Sequence, residues 1–212
     1  MSGITEAQTE KYIYSLLPAR EAVIRDMESY AAKHNVPIIG PACGRLLYQL
    51  ARLVRARRVF EMGSAIGYST SWLARAVGPR GRVFYTDGDP ANAERARRYL
   101  RRAGLLGRVR ILVGDALQLL DSTKGRFDLI FNDVDKAQYP EVLRRAISRI
   151  RVGGLFITDN VLWHGRVAQP ADKIDAETRA IQKFNRLIYR SPELFTTVVP
   201  LRDGFAVCLR VQ

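Results

Sequence analysis

Two short stretches bring hard oxygen atoms to the ends of apolar runs. Asp133 follows Phe131-Asn132, and Asp159-Asn160 follows Thr158, 26 residues further on. Two carboxylates and a carboxamide suit Mg²⁺, with Mn²⁺ or Ca²⁺ as alternatives, and such an ion keeps positions open for water or substrate oxygens. The chain has two histidines, His34 and His164, and two cysteines, Cys43 and Cys208, so a nitrogen–sulfur zinc set is hard to assemble. Lys136 stands three residues after Asp133. A lysine crowded by a cation loses its proton more readily and can act as a base. Each carboxylate could equally cap a helix or turn, and Lys136 could be an ordinary solvated lysine.

A second constellation lies upstream, in Glu61-Met62-Gly63-Ser64-Ala65-Ile66-Gly67-Tyr68-Ser69. Glycines at 63 and 67 let the backbone turn tightly and approach a ligand. The middle and last glycines of a dinucleotide fingerprint are missing, so no pyrophosphate cradle is evident. Asp87 comes 20 residues after Gly67, where an acid can hold ribose hydroxyls, although that spacing does not separate one nucleoside from another. Gly114-Asp115-Ala116 adds a third polar turn, readable as an adenine contact or as a helix cap.

The elements that must position these groups alternate. Apolar runs rich in Val, Ile and Phe at 58–62, 82–86, 109–113, 127–132 and 154–158 are expected to be strands. Helical patterns at 68–77, 90–103, 115–121, 138–150 and 174–190 separate them. Such alternation implies parallel strands with right-handed crossovers. Leu194 to Val199 and Phe205 to Val211, joined by Pro-Leu-Arg-Asp-Gly, read as a hairpin that adds an antiparallel strand. Helices are expected ahead of the sheet at Ile4 to Leu16, Ala19 to His34 and Pro41 to Val54. The fold class is therefore α/β, a doubly wound Rossmann-like sheet with a reversed C-terminal strand. Ligands bind beyond the carboxyl ends of such strands, and four of the five loops there open on or beside an acid.

At 212 residues the chain fits one domain, 1–212, with residues 1–36 as a helical N-terminal extension. No run approaches the roughly 18 apolar residues of a membrane span, and the N-terminus lacks the apolar core of a secretory signal. Two cysteines make no disulfide framework, so a cytoplasmic location is the default expectation. The net charge of +13 comes mostly from arginine, because lysine occurs six times. A basic surface can attract nucleic acid, but it also arises from solvated helix faces.

The stretches E-M-G-S-A-I-G-Y-S, F-N-D-V-D-K-A-Q-Y and D-N-V-L-W-H-G-R-V, from Glu61, Phe131 and Asp159 onwards, resemble the cation-dependent O-methyltransferases of the catechol and caffeoyl-coenzyme A type. The likeness runs from about Ile38 to the hairpin, where Asp203-Gly204 also fits. It implies a seven-stranded sheet, S-adenosylmethionine as methyl donor, and a small hydroxylated acceptor. By position, Gly63 and Ser69 would contact the methionine end, Asp87 the ribose, and Asp115 and Ala116 would lie at the adenine, with Glu61 and Gly67 also among the donor-binding residues. Asp133, Asp159 and Asn160 would hold the cation, with Asp133 also near the donor, and Lys136 would be the general base. Trp163 and His164 would border the acceptor. Asn132 departs from the apolar residue usual before the metal-binding aspartate. Asp135 stands where the catechol branch carries an aromatic gate, whereas the caffeoyl branch often has aspartate there. A hydroxylated uridine in tRNA is the rival acceptor, and a non-catalytic nucleoside- or RNA-binding module is the rival of another class. The helical face of Tyr12, Ile13, Leu16 and Leu17 is expected to form a homodimer interface or an acceptor lid.

Overall fold

The computed structural model describes residue 4 and residues 6–212. Seven strands form one sheet: β1 (Arg58–Met62), β2 (Arg82–Asp87), β3 (Val109–Val113), β4 (Phe127–Asn132), β5 (Ile150–Thr158), β6 (Leu194–Val199) and β7 (Phe205–Arg210). Their order is β3-β2-β1-β4-β5-β7-β6. The first five pair in parallel, whereas β7 runs antiparallel to both β5 and β6 and is the reversed strand. The chain leaves β1 toward β2 and β3, then returns to start β4 on β1's other side. That reversal puts a crevice between the β1 and β4 loops, where ligands of such sheets bind.

Eight helices surround the sheet among the described residues: α1 (Ala7–Ser15), α2 (Ala22–His34), α3 (Gly40–Leu53), α4 (Tyr68–Val77), α5 (Pro90–Arg102), α6 (Ala116–Ser122), α7 (Tyr139–Ala146) and α8 (Ala176–Arg190). Strand alternation sends Val59 and Phe60 into different cores. One core joins Val59, Val83 and Leu129 to α2–α5, and the other joins Phe60, Ile130 and Phe156 to α6–α8. Phe60 stacks against Phe84 and tilts against Phe127, with centroids 6.2 and 5.1 Å apart. Burying a phenylalanine contributes about 1.5–3 kcal/mol, so these rings anchor the strands that carry the site.

The expected helices and strands are present, with shifted ends. The helix expected at 138–150 is α7 flanked by 3₁₀ turns at Lys136–Gln138 and Ile147–Arg149. Ile150 already belongs to β5, which starts four residues before the expected strand. Gly153 sits within β5 at φ +75°, and Ile150 pairs with Phe127 across a register shift. The helix expected at Ile4 to Leu16 begins at Ala7, and its residue 5 lies outside the described residues. Asn35 ends α2 in the left-handed conformation (φ +53°), as an asparagine before Val-Pro suggests. Tyr12 and Leu16 remain largely exposed on α1, so that part of the expected apolar face is not covered by this chain. No helix among the described residues is long and apolar enough to cross a membrane.

Candidate active site

A cavity of about 1070 Å³ opens at the carboxyl ends of β1, β2, β3, β4 and β5. Gly63, Asp87, Asp115 and Ala116 line one part of it, and Asp133, Lys136, Asp159, Asn160, Trp163 and His164 line the rest. Ten of the residues selected from the sequence thus meet in one space. Glu61, Gly67 and Ser69 do not line it. Ser69 is buried and Gly67 starts α4 behind the wall.

At the β1 end the backbone does most of the shaping. Gly63 has φ +79°, and a Cβ there would sit 2.4 Å from the Asp133 carbonyl oxygen. No other residue type fits where the β1 and β4 loops touch. The Asp133 N–H donates to the Met62 carbonyl at 2.8 Å, which fixes that contact. Gly67, at φ +83°, turns the chain into α4. Asp87 Oδ2 accepts the Ala65 N–H at 2.8 Å, and Oδ1 accepts from Asp89 N–H at 2.9 Å and Asn92 Nδ2 at 3.2 Å. The N-cap of α5 is Asp89, so Asp87 organises the loop and still faces the cavity. Asp115 caps α6 through the Gln118 N–H and also lines the cavity.

Glu61 lies behind this wall, on the Val59 side of β1 and fully buried. Its Oε2 accepts the Thr70 hydroxyl, while Oε1 has no partner among the described residues. Burial pushes its pKa up to about 7, against the pull of the Ser69, Thr70 and Ser64 hydroxyls. A glutamate whose folded pKa is raised favours folding below its unfolded value, near 4.3, and loses that contribution as pH rises through about 7. The full gap corresponds to about 4 kcal/mol, of which about 3 kcal/mol falls above pH 5. Glu61→Gln should therefore gain stability relative to the parent between pH 5 and pH 8.5, by up to that amount. Denaturation midpoints at both pH values test this, and parallel pH profiles for the two proteins would rule it out.

The β4 and β5 loops bring the charges together. Lys136 Nζ donates to Asp133 Oδ1 at 3.0 Å and to the Val134 carbonyl at 3.3 Å. It lies 5.4 and 5.6 Å from the ring centroids of Tyr139 and Trp163. Aromatic faces favour a cation at that range and restrict its movement. The Tyr139 hydroxyl donates to the Asp159 carbonyl at 2.8 Å and anchors the end of β5. Asp159 is buried, and its carboxyl is held well above the usual carboxylate range by burial and by Asp133. Burial also raises Asp133, but Lys136 and Arg202 pull it back. Asp159 stays raised although Lys136 and Arg202 both act on it, so the pair of carboxylates leaves room for further positive charge.

Asp203 completes the arrangement and has no role in the sequence reading beyond the hairpin and the D-G match. It is buried, and accepts the His164 N–H and Asn160 Nδ2, the latter at 3.3 Å. Asn160, Trp163 and His164 all have positive φ, +57°, +46° and +55°. Left-handed backbone costs about 1–2 kcal/mol at a non-glycine residue, so surrounding contacts must hold this loop. Asp203 supplies two of them. Because Asn160 spends its amide N–H on Asp203, its Oδ1 is left without a hydrogen bond among the described residues. Asn132, which departs from the usual apolar residue, is fully buried and within 3.5 Å of the Thr158 hydroxyl.

The family profile described as "O-methyltransferase" matches residues 18–211. The chain belongs to that O-methyltransferase family. A catechol O-methyltransferase of Mycobacterium tuberculosis is 38% identical over 172 residues, covering 78% of this chain and 77% of that protein. A caffeoyl-CoA O-methyltransferase of Eucalyptus gunnii is 30% identical over 210 residues, covering 93% of this chain and 84% of that one. Among solved structures, the O-methyltransferase TomG of Streptomyces achromogenes, involved in tomaymycin synthesis and in complex with S-adenosylmethionine, superposes with a TM-score of 0.87. It is 30% identical, and the match covers 97% of this chain and 96% of that one. The cavity of this O-methyltransferase has Gly63, Asp87 and Asp115 on the β1–β3 loops at one end and an acidic, lysine-bearing set on the β4–β5 loops at the other.

Proposed function

We propose that this O-methyltransferase moves a methyl group from S-adenosylmethionine to one oxygen of a small catechol-like or phenolic acceptor, with a divalent cation bound at Asp133, Asp159 and Asn160. The observation that carries the reading is the meeting of these three residues and Lys136 with Asp87 and Asp115 in one cavity. The donor set fits Mg²⁺: two carboxylate groups with room for further positive charge, and a carboxamide oxygen free because its nitrogen is engaged. Among the described residues no cluster of three or more His, Cys, Asp and Glu side chains suits a metal, and the proposed set has two carboxylates and one carboxamide. When bound, the cation supplies Lewis acidity that favours the ionised acceptor.

The protein's own groups divide the remaining work. Gly63 lets the backbone approach the donor, and Asp87 offers carboxylate oxygens to ribose hydroxyls. Lys136, held between Tyr139 and Trp163, is the base that takes the acceptor's hydroxyl proton. Trp163 and His164 bound the acceptor side, and the loop held by Asp203 keeps them there. Transfer from a sulfonium to an oxyanion neutralises charge, so a low-dielectric site favours it.

The tRNA reading ranks second. Its basic path would run along α5, but Arg95 stacks on Tyr30 at 4.1 Å, Arg102 pairs with Asp26, and Arg97 lies 3.5 Å from Glu94. Much of that charge already has partners within the chain. A methyl-transfer screen with labelled S-adenosylmethionine against catechols, caffeoyl esters and undermodified tRNA, with and without Mg²⁺, distinguishes the readings. We expect label on the vicinal diols only when Mg²⁺ is present. Label on tRNA alone would replace the acceptor assignment.

A further inference from the structure

Arg202 occupies the turn between β6 and β7 and is one of two lysine or arginine side chains that line the main cavity, the other being Lys136. Lys136 is paired with Asp133. Arg202 makes no ion pair with any carboxylate among the described residues. Some half-buried arginines pair with acids, as Arg20 does with Glu28 at 2.8 Å and Arg151 with Asp128 at 2.6 Å, and Arg149 instead spends its guanidinium on the carbonyls of Leu120, Thr123 and Gly125. One Nη1 hydrogen bond, to the Ile38 carbonyl at 2.7 Å, is the side chain's hydrogen bond among the described residues. A guanidinium has five N–H donors, so most of its capacity is uncommitted.

The backbone beneath it is strained in a way that serves this placement. Arg202 has φ +52°, a left-handed conformation uncommon outside glycine. Gly204 closes the turn by donating to the Leu201 carbonyl at 3.0 Å, and the Ile4 N–H donates to the Arg202 carbonyl at 3.0 Å. An arginine kept at such a position invites a reason in its side chain.

Its surroundings describe a small annex to the cavity. Arg202 also borders a second space of about 290 Å³, together with Tyr14, Arg20, Gly40 and Pro41. The two spaces share Glu28, Ile38 and Arg202 in their walls, so Arg202 stands at the junction. Glu28 is neutralised there by Arg20 and accepts the Tyr68 hydroxyl at 2.8 Å. The Tyr14 hydroxyl is half-buried and has no hydrogen bond among the described residues. An uncommitted guanidinium, a free phenol and a neutralised acid form a setting that accepts an anion.

We propose that Arg202, with the Tyr14 hydroxyl, binds a carboxylate on the methyl acceptor, so that the enzyme prefers acidic catechols to neutral ones of the same shape. This rests on the reading of the Asp133–Asp159 end as the acceptor site. The ring would lie against that end, and its acidic substituent would reach the annex. Charge-assisted hydrogen bonds from a guanidinium fork to a carboxylate are worth a selectivity of about 10-fold or more.

The test compares 3,4-dihydroxybenzoate with 3,4-dihydroxybenzamide, which matches its shape without its charge, at saturating S-adenosylmethionine and Mg²⁺. The parent enzyme should show kcat/KM at least about 10-fold higher for the acid. Arg202→Met should remove that advantage through KM on the acid, and leave the amide within about 3-fold. Arg202→Lys should keep part of it, since a lysine supplies the charge but not the fork. S-adenosylmethionine affinity, measured by calorimetry on the same variants, should not change. Equal kcat/KM on the two acceptors for the parent, or an equal loss on both in Arg202→Met, would overturn the proposal and leave Arg202 as a tie between the turn and Ile38. Failure of both acceptors to turn over in the parent would instead overturn the acceptor reading itself, and this inference with it.

Discussion

Asp159→Ala is expected to remove acceptor methylation, by about 10³-fold or more, while S-adenosylmethionine binds within about 3-fold of the parent affinity. Asp159 is buried at the end of β5, and burial and Asp133 together raise its pKa. A carboxyl in that position costs stability in its charged form unless a cation joins it. Asp159 is a cleaner probe than Asp133, because Asp133 also contacts Lys136 and its backbone meets the Gly63 loop. Asp159 Oδ1 accepts the Asn160 N–H at 2.7 Å, so alanine also loses a local hydrogen bond. Asp159→Asn retains that acceptor and loses the charge, and should be as inactive as alanine with a melting temperature, measured without metal, no lower than the parent's. EDTA should reproduce the loss in the parent enzyme. Added Mg²⁺ or Mn²⁺ should reverse EDTA but neither substitution. A purely capping role predicts the opposite pattern, reduced thermal stability with full activity in the folded fraction. Asp159→Ala working normally in EDTA would end the metal reading.

The sheet was legible because each strand carries its own signal. Arg58–Met62, Val109–Val113 and Phe127–Asn132 have the bounds that their β-branched and aromatic runs predict. Many ends shift by a few residues, and the junction of α7 with β5 moves because local and tertiary preferences diverge there. Ile147 and Ile150 keep a helical spacing with Leu143, yet pairing of Ile150 with Phe127 draws it into the sheet. The acids at strand ends were legible as a site because topology alone brings such ends together. Asp115 shows that cap and cavity roles coexist in one residue, so a choice between them from sequence was a false one. Arg202 and Asp203 were harder to read. In the sequence they belong to a hairpin turn, and their partners lie far away along the chain: Ile38 for Arg202, and Asn160 and His164 for Asp203. No periodicity signals a contact of that range. Glu61 gave a partial signal, since an acid inside an apolar strand needs partners. The chemistry of those partners, the Thr70 hydroxyl and its neighbours, depends on how α4 packs over β1.

Lys136→Ala should separate proton transfer from binding. We expect metal and S-adenosylmethionine affinities to survive and the rate to fall by about 10²–10⁴-fold, the usual worth of a positioned proton-transfer group. The ammonium is largely enclosed, with 11% of its side chain exposed, between Asp133 and the rings of Tyr139 and Trp163. Two roles fit that position: a base that removes the acceptor's proton, or a fixed cation that steadies the acceptor oxygen once it is ionised. Lys136→Arg tells them apart, because a guanidinium keeps the charge and the Asp133 pair but does not release a proton in this pH range. A base predicts that arginine is about as impaired as alanine. A fixed cation predicts that arginine restores much of the rate. The pH profile supplies an independent readout. Without a base, reaction depends on acceptor that is already ionised in solution, so the alanine variant should recover part of its loss as pH rises toward the phenol's own pKa. The parent should respond less over the same range, since its base removes the proton at lower pH. A Lys136→Arg enzyme near parental rate, or an alanine variant whose pH profile runs parallel to the parent's, would assign Lys136 to electrostatic positioning and leave the proton to solvent.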